Sequence, residues 1–276
     1  MALVLLAALE NPKRFRTLMT TRRLTSQVLP VQEINADFTA KLYRLFASYY
    51  DNVTLTRFEA DLFEKDFVVV LRDAENGEPR GFSTQQVLRM QVDGQPVRAL
   101  FSGDTIIDPE YWGEQELVRG WCRVVGQLLA DEDKSPLYWL LISKGFRTYL
   151  YLPVFYHEFW PRYDQATPPQ MQCVMDAFAN RKWPEYYQAS SSLLQFPRSL
   201  GHLKSEIADV PSARAGDPHV QFFLERNPTY REGTELVCLA PISLENTKSI
   251  GRRLIQQAVR DYQQRGRTAR IEVPRA

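Results

Sequence analysis

The chain has 276 residues, with 34 Lys and Arg against 33 Asp and Glu, for a formal net charge of +1. At 44% hydrophobic and 24% charged residues it carries enough apolar material for a sizeable core, which excludes general disorder and disulfide scaffolding. The balanced charge removes the electrostatic case for nucleic-acid binding by the whole molecule.

Three cysteines (Cys122, Cys173, Cys238) and three histidines (His157, His202, His219) occur. None falls at a CxxC, zinc-site or HExxH spacing, so no metal is expected and the thiols are read as reduced, buried small hydrophobes. The apolar start, Met1 to Leu9, has no basic residue before it and is shorter than the ~20 residues a membrane span needs. Residues 1–24 are therefore read as an extension, with no membrane span and a cytoplasmic setting.

Elements follow in order. Residues 24–34 can supply an opening strand. Over 36–50, Phe38, Leu42, Leu45, Phe46 and Tyr49 recur at helical spacing. Thr56 with Glu59 three residues on reads as the capping box of a second short helix. Phe67-Val-Val-Val-Leu-Arg is a buried strand, and Asn76-Gly77 and Asp93-Gly94 are hairpin turns linking it to strands at 81–92 and 97–107. Residues 114–130 are helical, with Leu117, Trp121, Val124, Val125, Leu128 and Leu129 inward. Leu137 to Ile142 reads as a strand in preference to the last turns of a helix ended by Gly145, followed by a partly helical aromatic stretch, Phe146 to Trp160, interrupted at Pro153. A helix at 171–178 follows, and 208–218 is an exposed Pro- and Gly-punctuated loop. Residues 219–225 and 234–240 read as two final strands. A basic helix closes the chain over 242–276, its Ile250, Leu254, Ile255, Ala258 and Val259 facing inward.

The fold class is thus α+β, with a mixed, mostly antiparallel sheet flanked by helices. The order of strand, two helices, three hairpin-linked strands, helix, strand, helix and two strands resembles the GNAT superfamily of acyl-CoA N-acyltransferases. The resemblance covers a domain over 25–241, with 161–216 a helical insertion the standard fold lacks. It implies acyl transfer from a thioester to an amine by direct attack, with a non-catalytic thioester-sensing or protein-interaction module as the alternative. The aromatic run is similar to that of long-chain N-acyl amino acid synthases.

The resemblance places the donor site in the segment from Phe101 to Leu117. There the strand splays from its neighbour and exposes backbone groups to a pantetheine arm, and a helix N-terminus offers unpaired N–H donors to a pyrophosphate. The implied donor-binding residues are Thr105, Ile106, Ile107, Trp112, Gly113, Glu114 and Gln115. In the loop Glu110-Tyr-Trp-Gly113-Glu-Gln115 only Gly113 fits the family's Gln/Arg-x-x-Gly-x-Gly/Ala pattern, and Glu114 and Glu116 add negative charge where phosphates would sit. A carboxylate between apolar Phe101 and Ile106 is expensive unless paired, so Asp104 is either the base that deprotonates the amine or a structural residue at the Ser102-Gly103 bend. Gly103 is read as a bulge or a close approach of ligand. Tyr156, with Tyr151 next, is the implied acid for the leaving thiolate, and His157 can serve as acid or base. The expected co-substrate is an acyl-CoA or acyl-carrier-protein thioester. The acceptor is a small-molecule or peptide amine. The basic tail is a candidate contact for an acyl carrier protein.

Overall fold

A computed structural model describes residues 23–111, 114–196, 202–203 and 208–265. Strand β1, Leu24–Pro30, leads into helix α1, Ala36–Ala47, whose first turn is capped by Asn35 accepting the Phe38 N–H. A short β2, Tyr50–Asp51, precedes helix α2, Leu55–Phe63. The Thr54 hydroxyl, not Thr56, caps α2 by accepting the Arg57 N–H, so the capping box expected at Thr56 and Glu59 is not used: the chain turns helical one residue before it.

Strands β3 (Phe67–Asp73), β4 (Pro79–Val92) and β5 (Gln95–Ile107) form the expected meander. Its turns rest on left-handed backbone at Gly77, Asp93 and Gly94. Helix α3, Glu116–Ala130, strand β6, Leu137–Ser143, and two short helices, α4 (Phe146–Tyr149) and α5 (Tyr151–Phe155), follow. The aromatic stretch breaks at Leu150 rather than at Pro153. Proline at the third position of α5 lies in the first turn, where no intrahelical N–H is lost.

Helix α6, Pro169–Lys182, begins the segment expected to be an insertion. That segment also enters the sheet, through β7 (Tyr187–Gln188) and β8 (Leu193–Leu194). The short β9, His202–Leu203, pairs with β2 in a separate ladder. Residues 219–225, expected as a strand, lie in helix α7, Pro218–Arg226. Asp217 accepts the His219 N–H and Pro218 stands in the first turn, a strong helix start, while Val220 and Phe223, three apart, supply the buried face. Strand β10, Glu235–Pro241, and helix α8, Ser249–Arg265, complete the described chain.

The main sheet has the order β1-β3-β4-β5-β6-β10-β8-β7, and only β5 and β6 pair parallel. This is the mixed, mostly antiparallel sheet flanked by helices that the sequence implied. Alternation along each strand divides the core between the two faces. Val69 and Leu71 of β3 join the core under α3 and α8, and Val68 and Val70 join the one under α1 and α2. Beyond β5, the same second face is covered by α6 through Val174, Met175 and Phe178.

Two glycines let α3 sit close to its neighbours. A Cβ at Gly120 would stand 2.3 Å from Val69 Cγ1, and one at Gly126 would stand 2.5 Å from Ala258 Cβ of α8. Ile255 and Ala258 are buried in that seam, but Ile250, expected inward, is 49% exposed: in the first turn of α8 it is Gly251 that packs on the body, against Thr247 and Phe155. Gly126→Leu forces α3 and α8 apart. Overpacking of this kind costs about 1–3 kcal/mol, so calorimetry should show a midpoint several degrees below that of the parent chain.

Candidate active site

The parallel pairing of β5 with β6 begins at Arg98 and Leu137 and ends at Ser102 and Leu141. β5 runs on to Ile107 and β6 to Ser143, so past this point the two central strands part. The cause lies on the other edge of β5. Between the pairs Ser83–Thr105 and Gln85–Ser102 the register with β4 shifts, with two residues of β5 facing one of β4. Those residues are Gly103 and Asp104, the bulge expected from the glycine. A Cβ at Gly103 would meet Thr84 Oγ1 at 2.5 Å and Lys65 Cε at 3.0 Å, so the bend is built around the missing side chain.

The gap opens into a cavity of about 490 Å³ that reaches both faces of the sheet. Its α3/α8 side is apolar and aromatic, with Leu117, Trp121, Trp139, Phe155, Tyr156 and Ile255 in the wall. A buried polar string runs along the floor. Trp139 Nε1 donates to Ser102 Oγ at 2.9 Å, Ser102 Oγ donates to Gln85 Oε1 at 2.9 Å, and Gln85 Nε2 donates to Ser83 Oγ at 2.8 Å. Ser83 and Thr105 then share a hydrogen bond of 2.7 Å. The string leaves no polar group of Gln85 unmatched where β4 and β5 carry the bulge, and so fixes the side of the gap.

The opposite side carries charge. Asp61 comes from α2 and Glu64 from its C-cap, Asp104 from the bulge, Lys144 from just after β6, Lys182 from the end of α6 and Glu235 from the start of β10. Lys65, whose side chain is fully buried, bonds Asp61 at 2.7 Å; Lys144 bonds Glu235 at 3.3 Å; Lys182 bonds Glu64 at 3.4 Å. Among the described residues the Asp104 carboxylate has neither a hydrogen bond nor an ion pair. Enclosure by protein raises its pKa to about 7; Asp61 and Glu235 push in the same direction, against Lys144 and Lys65. Burial likewise raises Glu235, with Lys144 pulling it back. The Tyr50 hydroxyl is driven up by burial and by Asp104.

Tyr156 stands in the apolar wall with 1% exposure, 5.8 Å from Trp139 by ring centroids, and its hydroxyl has no hydrogen-bond partner among the described residues. Burial holds that hydroxyl protonated, its pKa well above the usual tyrosine value. Tyr151 also lines the cavity.

The cavity therefore brings together Asp104, Tyr156, Thr105 and Ile107. It does not bring in His157, which is exposed beyond the end of α5, because the bridge between Tyr156 and Thr247 turns the next side chain outward. Ile106 points into the α1/α2 core, as alternation along β5 requires. Glu114 and Gln115 lie outside the wall, and Trp112 and Gly113 lie outside the described residues. Gln115 precedes α3 without a side-chain cap, and Glu116 in its first turn accepts from Ser26 at 2.8 Å and pairs with Arg119 at 3.1 Å. Cys122 and Cys238 are buried as expected, whereas Cys173 is only partly so.

Asp61, Lys144, Lys182 and Glu235 were not visible as a group, because they come from four separate elements. The one local signal was the Asp61 and Lys65 spacing on one face of α2, and even that reads as an ordinary helix pair.

No protein-family model and no curated protein matches the sequence. Among solved structures, the chain is similar to a conserved protein of Enterococcus faecalis V583, a probable N-acyltransferase, at 13% identity and a TM-score of 0.37 over 53% of this chain and 38% of that one. It is similar to a GNAT family N-acetyltransferase of Escherichia coli in complex with CoA, at 18% identity and a TM-score of 0.32 over 45% and 65% of the two chains. A GCN5-related N-acetyltransferase from Kribbella flavida shares 15% identity at a TM-score of 0.34, over 48% and 32%. The chain thus spans less than two thirds of each of these proteins.

Two stability effects follow from the geometry. An unfolded chain ionises Asp near 3.9, whereas Asp104 does so near 7 in the fold. The folded state therefore holds the extra proton between those values, and its stability falls as pH rises through that window. Asp104→Asn removes the loss: it should melt several degrees above the parent at about pH 8, with the difference shrinking as pH falls toward about 4. Tyr156→Phe deletes a buried hydroxyl that has no partner, so thermal unfolding should show it equal to the parent or more stable by about 1 kcal/mol.

Proposed function

We propose that the chain is an N-acyltransferase that passes an acyl group from a thioester, an acyl-CoA in the first instance, to an amine by direct attack. The observation that supports this most is the continuous cavity through the β5/β6 gap, with an unpaired carboxylate on one side of the sheet and an unpartnered, protonated phenol on the other.

The donor's thioester arm threads the gap, where β5 beyond Ser102 has no strand partner on its β6 side. Backbone N–H groups near 105–107 polarise the carbonyl, and preorganised donors in a site closed to water are the larger part of catalysis in such a reaction. The acceptor enters from the charged side as its ammonium and gives a proton to Asp104, whose pKa near 7 suits a base at neutral pH. The free amine attacks the carbonyl carbon, the C–N bond forms and the C–S bond breaks. Tyr156 protonates the departing thiolate and is restored by the second proton that the nitrogen loses as the amide forms, so the products are an amide and a thiol, with the first proton left on Asp104 and then released to solvent. The aromatic wall beside Tyr156 admits a donor with apolar length, so a medium or long acyl chain is included in the proposal. An acyl carrier protein as donor, docking on the basic side of α8, is its variant.

The test is thiol release from acetyl-, octanoyl- and palmitoyl-CoA in the presence of an amine panel, with thermal shift read in parallel. For the parent chain kcat/KM should rise with pH through about 7 as Asp104 loses its proton, and Asp104→Asn should lose that limb and at least ten-fold in rate. Tyr156→Phe should lower kcat while leaving the thermal shift given by CoA unchanged. A thermal shift without thiol release by any pair would replace the proposal with a thioester-sensing module. Neither shift nor release, with free or carrier-bound thioesters, would overturn it.

A further inference from the structure

The charged side of the cavity has a definite charge balance. Each carboxylate in its wall except one is matched by its own cation: Asp61 by Lys65, Glu64 by Lys182, Glu235 by Lys144. Of the remaining cations in the wall, Arg147 donates to the Asp209 carbonyl at 3.3 Å and lies over the Phe146 ring at 4.6 Å, and Arg57 is an exposed residue at the rim. Among the described residues Asp104 is left as the inner charge without a partner.

Around it the chamber is aromatic. Phe46, Tyr50, Phe101, Trp183, Tyr186 and Phe196 line it, Phe46 and Tyr50 stacked at 4.7 Å and Phe101 and Trp183 edge-on at 5.3 Å. Lys182 lies over the Phe101 ring at 4.9 Å, so ring faces there already receive positive charge. These walls offer area to an apolar body and ring faces to a cation. They offer nothing to a second ionic group. A carboxylate carried in with the amine would be desolvated where, among the described residues, the inner lysines are already held by carboxylates, which is costly. A second ammonium would meet carboxylates that each already hold a lysine.

Resting on the acyltransferase reading, we infer that the acceptor is a primary monoamine with an aryl or alkyl body, its ammonium on Asp104 and its body among the rings, rather than an amino acid or a polyamine. The acceptor's single charge completes the balance of the chamber, and its apolar part sets the selectivity.

The inference is tested by isothermal titration of the full chain with 2-phenylethylamine, phenylalanine, 1,4-diaminobutane and methylamine, with and without CoA. 2-Phenylethylamine should bind at least ten-fold more tightly than phenylalanine, which differs from it by the carboxylate alone, and than the diamine. Asp104→Asn should weaken it at least ten-fold. Trp183→Ala should weaken 2-phenylethylamine several-fold and leave methylamine unchanged. Equal or tighter binding of phenylalanine or of the diamine overturns the inference, as does absence of binding by every amine in both conditions. Because binding is read without turnover, the two readings fail separately. Amine binding with no thiol release from any thioester sinks the acyltransferase and leaves the monoamine site. Thiol release driven best by phenylalanine does the reverse.

Discussion

The parting of β5 from β6 is the constraint on which the rest of this molecule depends. A parallel pair at the middle of a sheet normally continues until one strand ends, since each further residue satisfies backbone groups on both sides. Here pairing stops at Ser102 although both strands go on. The extra residue at Gly103–Asp104 bends β5 toward β4, and the Gln85 network holds the bend from beneath. The two core faces, otherwise separated by the sheet, are joined through the gap. Without it there would be an aromatic pocket on one side, a cluster of ion pairs on the other, and no path between them.

The same geometry explains why an unpaired carboxylate and an unpartnered phenol can persist in one protein. Each is destabilising by itself: a buried ionisable group shifts its pKa rather than stay charged, and a buried hydroxyl without a partner forgoes a hydrogen bond. Both face the cavity. Polar groups that were structural would be expected to find partners, as Tyr49 does at the Ile107 carbonyl and Tyr111 does at Asp73. Among the described residues Asp104 and Tyr156 have no such partner, and in the proposed reaction the amine and the leaving thiolate supply it.

Much of this was legible in the sequence, for reasons that differ by element. The meander was readable because Asn76-Gly77 and Asp93-Gly94 are turns whose backbone few other residues adopt. Gly103 beside Asp104 was readable because a glycine and a carboxylate inside an apolar strand both demand an explanation. The helix at 218–226 was missed because His-Val-Gln-Phe-Phe-Leu alternates well enough for a strand, while its decisive signal, Asp217-Pro218, lies just before it. His157 was over-read: it neighbours a wall residue in sequence, but alternation sends its side chain to solvent. The charged chamber was illegible for a deeper reason. Its pairs join α2 to itself, β6 to β10 and α2 to α6, and only the sheet order brings those ends to one place.

The position of β10 also bears on how the protein is made. It pairs with β6 on one edge and β8 on the other, so the last strand of the described chain lies inside the sheet, not at its border. Until residues 235–241 leave the ribosome, the β7/β8 ribbon has no place to dock, β6 keeps an open apolar edge, and Glu235 is missing beside Lys144. Contacts of such long sequence separation are slow to close. From the completion of β6 at Ser143 until β10 is complete at Pro241, the nascent chain therefore carries an open, adhesive sheet edge.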